Sequence, residues 1–328
     1  MTFSLSRRAL GAAALLAVTF HVAPPASAEE TWPNRVITMV VPFTPGTTSD
    51  VIARGLVDYL STKLGQPVVI DNRGGAGGNI GAAVVARAPA DGYTLLFSTT
   101  GPAATNKLMY KEMPFDPQRD FVPVVLVGKT PVMAIARTSA PFSTLKELID
   151  YAKANPDKLT AGFAGNGTLG HVTGELLQAK TGIRFGHIQY RGSAQIITDL
   201  IGEHIDITTD AMGAYVSNIL DSKIKALAIA SSKRWSKLPN VPTISESGLP
   251  GFEASVWYAI LAPTGVPREV VARVNAATNE YLKLDRTKAT LDDLAVEIAG
   301  GTPDELNVFI NSEIAKWGPI VKSANIQF

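Results

Sequence analysis

The sequence predicts an α/β protein of two lobes, joined by two chain crossings, with a cleft between them. Three observations carry this. Short apolar runs alternate with amphipathic ones over residues 36–98, in the order strand, helix, strand, helix, strand, which implies a parallel sheet with right-handed crossovers. The same alternation returns over 160–230. The chain has 328 residues, 46% of them hydrophobic and 18% charged, which suits about two separate cores.

The first residues set the compartment. Arg7 and Arg8 precede the apolar stretch 9–22, and Pro24, Pro25 and the triplet Ala26, Ser27, Ala28 follow, the layout of a secretory signal cleaved after Ala28. The apolar part is short for a membrane span, and no later run approaches one. A soluble periplasmic protein is expected, exported by the general rather than the twin-arginine route. Cleavage removes two arginines and no acid, so the formal charge passes from +1 to −1. That balance argues against a nucleic-acid or anionic-membrane partner. Zero cysteine excludes disulfides, thiolate nucleophiles, cysteine-bound zinc and a lipid-modified N-terminal cysteine.

Taken in order, residues 36–41 read as a strand covered on both faces, and 50–64 as a helix with apolar residues at helical spacing. Between them lies the turn P-F-T-P-G-T-T-S-D. A second strand at 68–70 runs into D-N-R-G-G-A-G-G and a small-residue helix at 80–88, and a third strand spans 95–98. Residues 121–127 and 132–136 read as two strands, with the first crossing near Gly128. A helix at 145–154 starts on Thr144 and Glu147 in capping-box spacing. The second lobe then reads as strand 160–164, helix 169–180, strand 185–190, helix 194–201, strand 205–209, helix 211–220 and strand 226–230. Residues 238–251 are surface connection, and the apolar run 255–262 holds the second crossing. Helix 268–284, strand 296–299 and a final helix return to the first lobe. Thr302, Pro303 and Glu305 start that helix, and Leu306, Phe309, Ile310, Ile314 and Trp317 stripe it. Pro319 is expected to bend or end it. The predicted division is a leader at 1–28, lobe 1 at 29–127 and 256–328, and lobe 2 at 128–255.

Much chemistry is missing. The glycines of 74–81 fit neither G-x-G-x-x-G nor a P-loop, so a tight turn with close helix packing is the reading, and no nucleotide or other cofactor is expected. Of the histidines that outlast cleavage, His171, His187 and His204, none reads as having a second histidine or an acid at metal-ligand spacing, so no metal is expected. No G-x-S-x-G elbow marks a hydrolase.

What is present is anion-binding backbone. The turn before residue 50 ends at a helix N-terminus, where unpaired amides and the helix dipole attract an anion without Lys or Arg. The stretch G-F-A-G-N-G-T-L-G-H repeats this: Gly165 and Gly167 let the chain turn, Thr168 caps a helix and His171 sits in its first turn. Two such ends facing across a cleft hold a dicarboxylate, or one carboxylate and a polar tail. Thr47, Thr48, Thr99, Thr100, Thr168 and Ser193 add hydroxyls at strand ends. Phe43, Phe163 and Tyr190 pack in the core or line the cleft; in the cleft they favour an aromatic or aliphatic acid over citrate.

The turn P-F-T-P-G-T-T-S-D, the stretch D-N-R-G-G-A-G-G-N-I-G with A-D-G-Y-T-L-L after it, the loop G-N-G-T-L-G-H, and Y-R-G-S with D-L-I-G-E-H-I-D resemble the Bug family, the extracytoplasmic solute receptors of tripartite tricarboxylate transporters. The resemblance covers essentially the whole mature chain. It implies a type II periplasmic-binding-protein fold closing on a carboxylate, often bridged by water to loop amides, with integral membrane permease subunits as partners. A monomer that is not an enzyme is expected. It further implies that Phe43, Gly46, Thr47, Thr48 and Asp50 form the first-lobe ligand loop, with Thr99 and Thr100 beside it. Gly165, Gly167, Thr168 and His171 would form the second-lobe loop, and Tyr190, Ser193 and Asp210 would line the cleft. Where the family turn has a second glycine this chain has Thr47, which narrows the approach and adds a hydroxyl. Asp50 is read as bonding loop amides or water, and Asp210 either accepts from a ligand or caps the following residues. The alternatives are an enzyme on the same fold, a lyase or isomerase using His171 and Asp210, and a sensor subunit for a membrane kinase.

Overall fold

The computed structural model describes residues 32–328; the expected leader and its cleavage site after Ala28 lie outside them. β1 (Ile37–Val41), buried almost throughout, turns at 42–47 into α1 (Thr48–Leu64). Next come β2 (Val68–Asn72), α2 (Asn79–Ala86) and β3 (Thr94–Thr99). β1 pairs in parallel with both β2 and β3, as the alternation predicts. A π-helical turn at Gly101–Thr105, α3 (Asn106–Met109) and α4 (Pro117–Asp120) lead to β4 (Phe121–Arg137).

The second half follows the same rule. α5 (Leu145–Ala154) carries the capping box of Thr144 and Glu147. It is followed by β5 (Thr160–Phe163), α6 (Leu169–Thr181), β6 (Gly186–Gln189), α7 (Ser193–Ile201), β7 (Ile207–Ala211), α8 (Val216–Leu220) and β8 (Ile224–Ile229). β5 is parallel to β6 and β7. The chain closes with β9 (Ser255–Pro263), α9 (Arg268–Lys283), α10 (Asp285–Asp293), β10 (Glu297–Gly300) and α11 (Pro303–Ser323).

The sheet order β2-β1-β3-β9-β4-β7-β5-β6 puts two parallel groups on either side of the antiparallel pair β9 and β4, with β8 and β10 also on β4. β4 is one strand of 17 residues, where the sequence suggests two. Its two ends belong to different neighbours: β9 pairs along Phe121–Pro131, and β7 takes over at Val132. The glycine and proline that read as a break sit at this handover. Val132, Ala230 and Ala254 exchange backbone hydrogen bonds there.

One core gathers Val40, Leu96, Phe115, Trp257, Leu306 and Ile310 around the first group; another gathers Met133, Ile196, Tyr215 and Ile229 around the second. One further expectation is corrected, one element goes unread, and Pro319 does not end the final helix. Residue 211 ends β7, and a 3-10 turn at Met212–Ala214 precedes α8, so the helix read over 211–220 starts late. α10 goes unread because only Thr287 and Leu291 are buried along it, too weak a periodic signal. α11 continues through Pro319 to Ser323. Among the described residues no helix is long and apolar enough to cross a membrane.

Candidate functional site

Three helices begin at one cavity. α1 brings Thr47, Thr48 and Ser49, α6 brings Thr168, Leu169 and Gly170, and α7 brings Ser193. Phe43, Thr99, Thr100, Gly101, Ala164, Asp210, Ala211, Val256 and Tyr258 complete the walls of this cavity, which opens to solvent. No lining residue is Lys or Arg. Attraction for an anion at these walls can therefore come only from first-turn amides, hydroxyls and helix dipoles.

Each helix start is held by its own sequence. Thr47 caps α1: its Oγ1 accepts from Asp50 N at 3.4 Å and donates to Thr44 O at 3.1 Å. Asp50 faces back into the loop, accepting from Gly46 N (2.9 Å), Arg54 Nε (2.9 Å) and Asn72 Nδ2 (2.9 Å). Burial pushes its carboxyl up, but these donors together hold it below the ordinary range. Thr168 caps α6, accepting from His171 N at 3.4 Å and donating to Gly165 O at 2.8 Å. Gly170 lets α6 lie on β7: a Cβ there would stand 2.4 Å from Thr209 O.

Asp210 is the cavity's one carboxylate, and it is 6% exposed. It accepts from Ser193 Oγ (2.7 Å), Tyr215 Oη (2.8 Å) and Ala211 N (2.8 Å). Burial nevertheless raises its pKa above the ordinary value, against those three donors. Two other polar groups at the cavity have no such support. Thr48 Oγ1 and Tyr258 Oη are buried without a hydrogen-bond partner. They lie close enough for the Thr48 hydroxyl to act on the phenol, but out of hydrogen-bond alignment; burial dominates and, with Asp210, raises the Tyr258 pKa.

Residues 52–326 match the family described as tripartite tricarboxylate transporter family receptor. The chain belongs to that family. Protein BugT of Bordetella pertussis is 37% identical over 319 residues, covering 96% of this chain and 97% of that one. The structure of R. palustris Rpa4515 with adipate is 38% identical, with a TM-score of 0.87 over 90% of this chain and 99% of that one. MatC from Rhodopseudomonas palustris with bound malate is 32% identical, with a TM-score of 0.85 over 88% of this chain and all of the other, 100%. This receptor thus has the two-lobed type II periplasmic-binding fold.

Of the residues singled out from the sequence, the receptor brings Phe43, Thr47, Thr48, Thr99, Thr100, Thr168, Ser193 and Asp210 to the cavity. Gly46, Asp50, Gly165 and Gly167 shape the loops without lining it. Tyr190 turns its hydroxyl to Asp199 Oδ2 at 2.5 Å, and Phe163 is fully buried beside His171. So one of the three aromatic candidates, Phe43, reaches the cavity. His171 is buried among Phe163, His187 and Phe328. Its partner Glu175 lies four residues on along α6, and His187 joins both, so the expectation that no histidine has an acid at ligand spacing is overturned.

Sequence reasoning misses Tyr258 and Val256, because the run holding them reads only as apolar strand. Their register opposite β3 and β4 is a tertiary fact. Leu169 and Gly170 are one step beyond the cap already identified. Ala164 and Ala211 carry no chemical signal at all.

Proposed function

We propose that this receptor binds a small aliphatic dicarboxylate in the cavity and hands it, as a periplasmic monomer released by cleavage after Ala28, to the membrane permease subunits of a tripartite tricarboxylate transporter. The observation that carries this reading is the pair of buried, unpartnered hydroxyls of Thr48 and Tyr258 beside three helix N-termini. An unpaired buried hydroxyl costs about 1–3 kcal/mol. A ligand carboxylate, acceptor-only and anionic, relieves both costs and meets the amides. Phe43, Leu169, Val256, Ala164 and Ala211 offer apolar wall for a methylene chain. The structures of two relatives, one with adipate and one with bound malate, support the class.

The bound ligand is released unchanged, since nothing at the cavity supplies a base poised for turnover: Asp210 is engaged by three donors. Closure is hinge bending where β4 passes from β9 to β7 and where residue 254 leads into β9, between a lobe of 29–127 with 256–328 and a lobe of 128–255. The ligand stabilises the closed form through contacts to both. A thermal-shift screen of ligand-free protein against mono-, di- and tricarboxylates tests this. Ligand at about 100 times its dissociation constant stabilises by about 2.7 kcal/mol. Absence of any shift across the acids overturns the reading.

A further inference from the structure

His171 and Glu175 stand one turn apart on α6, and β6 brings His187 to them. Glu175 Oε1 lies 3.3 Å from His171 Nε2 and 3.3 Å from His187 Nδ1, and one ligand atom from each of the three residues falls within 4.8 Å of the others. Zinc with bonds of about 2.1 Å sets tetrahedral ligand atoms about 3.4 Å apart. Two of the three spacings already meet that value. His171 is 1% exposed, and its Nε2, directed into the cluster, has no aligned hydrogen-bond partner.

We propose that His171, Glu175 and His187 form a binding site for a divalent transition-metal ion of the zinc class, with water completing the shell. Two imidazoles and one carboxylate are the donor set that suits zinc rather than magnesium or calcium. Phe163 lies 4.8 Å from the His171 ring and 5.1 Å from the His187 ring, and Phe328 stacks on His171 at 4.9 Å. That aromatic shell restricts water and strengthens the ion's attraction to Glu175. His187, at 28% side-chain exposure, gives the entry path and the freedom to close the third spacing.

The competing arrangement is a hydrogen-bonded network with no ion. His171 Nδ1 accepts from Gly167 N at 3.4 Å, and His187 Nε2 faces the Gln178 amide nitrogen at 3.1 Å, so without an ion each ring carries its proton on the nitrogen nearer Glu175, that of His171 out of hydrogen-bond alignment. An ion takes the place of those protons, which move to the opposite ring nitrogens. What yields is one long contact to Gly167 and one half-buried side chain, Gln178.

The test is calorimetric titration of zinc chloride into the purified protein, free of any histidine tag and stripped with EDTA, near neutral pH. The expected result is one ion per chain at micromolar affinity, weakened at least about tenfold in His187→Ala and in Glu175→Gln. Thermal melts of both variants check that they are folded. Neither residue lines the cavity, so carboxylate binding persists in both. No saturable binding to the wild type overturns the proposal, as does saturable binding that both folded variants retain at full strength.

Discussion

Thr48 Oγ1, in the first turn of α1, and Tyr258 Oη, on β9, lie at the same cavity wall, both buried and neither hydrogen-bonded. They come from opposite ends of the sequence, and only closure of the sheet brings them together. Because the unliganded protein bears the cost of an unpaired phenol, removing that hydroxyl has opposite effects on the free and bound states. Tyr258→Phe is expected to hold or raise the stability of ligand-free protein while weakening carboxylate binding about tenfold, the worth of one hydrogen bond to a charged group. Paired melting and calorimetry measure both. A loss of stability without loss of affinity would show that the phenol serves the core.

Asp210 sets a negative charge where the proposed ligand brings another. Its raised pKa means that the folded protein holds this proton more tightly than the unfolded chain. The sign follows: Asp210's contribution to stability is complete below the ordinary value of 3.8 and declines as pH rises from there through the folded pKa. Carboxylate affinity is expected to fall over the same upper window, as Asp210 ionises. Asp210→Asn removes that step and tightens binding about tenfold at pH above that window by deleting a like charge. Titrations across pH, corrected for the ligand's own ionisation, decide it; weaker binding in the variant would mean that Asp210 accepts a hydrogen bond from the ligand.

The alternation of strand and helix was legible because each element carries its own period, and the caps were legible because Thr144 with Glu147 and Thr302 with Glu305 satisfy helix ends locally. The loop residues of the site were half legible for the same reason: Thr47, Thr48 and Thr168 mark helix starts, and helix starts meet the cavity. What the sequence does not display is orientation. Asp50 is three residues beyond a cap and turns inward to Arg54 and Asn72; Tyr190 follows a strand and turns to Asp199. Tyr258 was invisible because an aromatic in an apolar strand is ordinarily core, and here one face of it borders the cavity.

Gly170 and Gly318 test close approach against its absence. A Cβ on Gly170 would stand 2.4 Å from Thr209 O and 3.0 Å from Asp210 Cα, both backbone atoms of β7 that cannot turn aside. Gly170→Ala is expected to cost about 1–3 kcal/mol by forcing α6 off the sheet, and to weaken ligand binding because the first turn of α6 moves with it. Gly318 lies inside α11, where an added methyl group would meet no atom within 4 Å. Gly318→Ala is expected to add about 0.5–1 kcal/mol. Denaturant unfolding of the two variants gives both numbers, and equal effects would remove the packing argument.

The cluster of His171, Glu175 and His187 also predicts how the fold fails in acid when EDTA keeps metal away. Burial lowers the His187 pKa below its ordinary 6.5, so the unfolded chain takes up a proton first as pH falls. The stabilisation is therefore complete above that value and is lost as pH drops through the folded pKa. Glu175 acts lower: burial raises its pKa, but His171 and His187 bring it below 4.5 overall, so its contribution is present above that value and lost beneath it. Melting temperature is expected to fall in two stages on acidification. His187→Gln, which keeps a polar side chain but does not titrate, flattens the upper stage and reduces the lower one to the part that His171 supports. An unchanged upper stage in the variant would assign the early acid loss to another group.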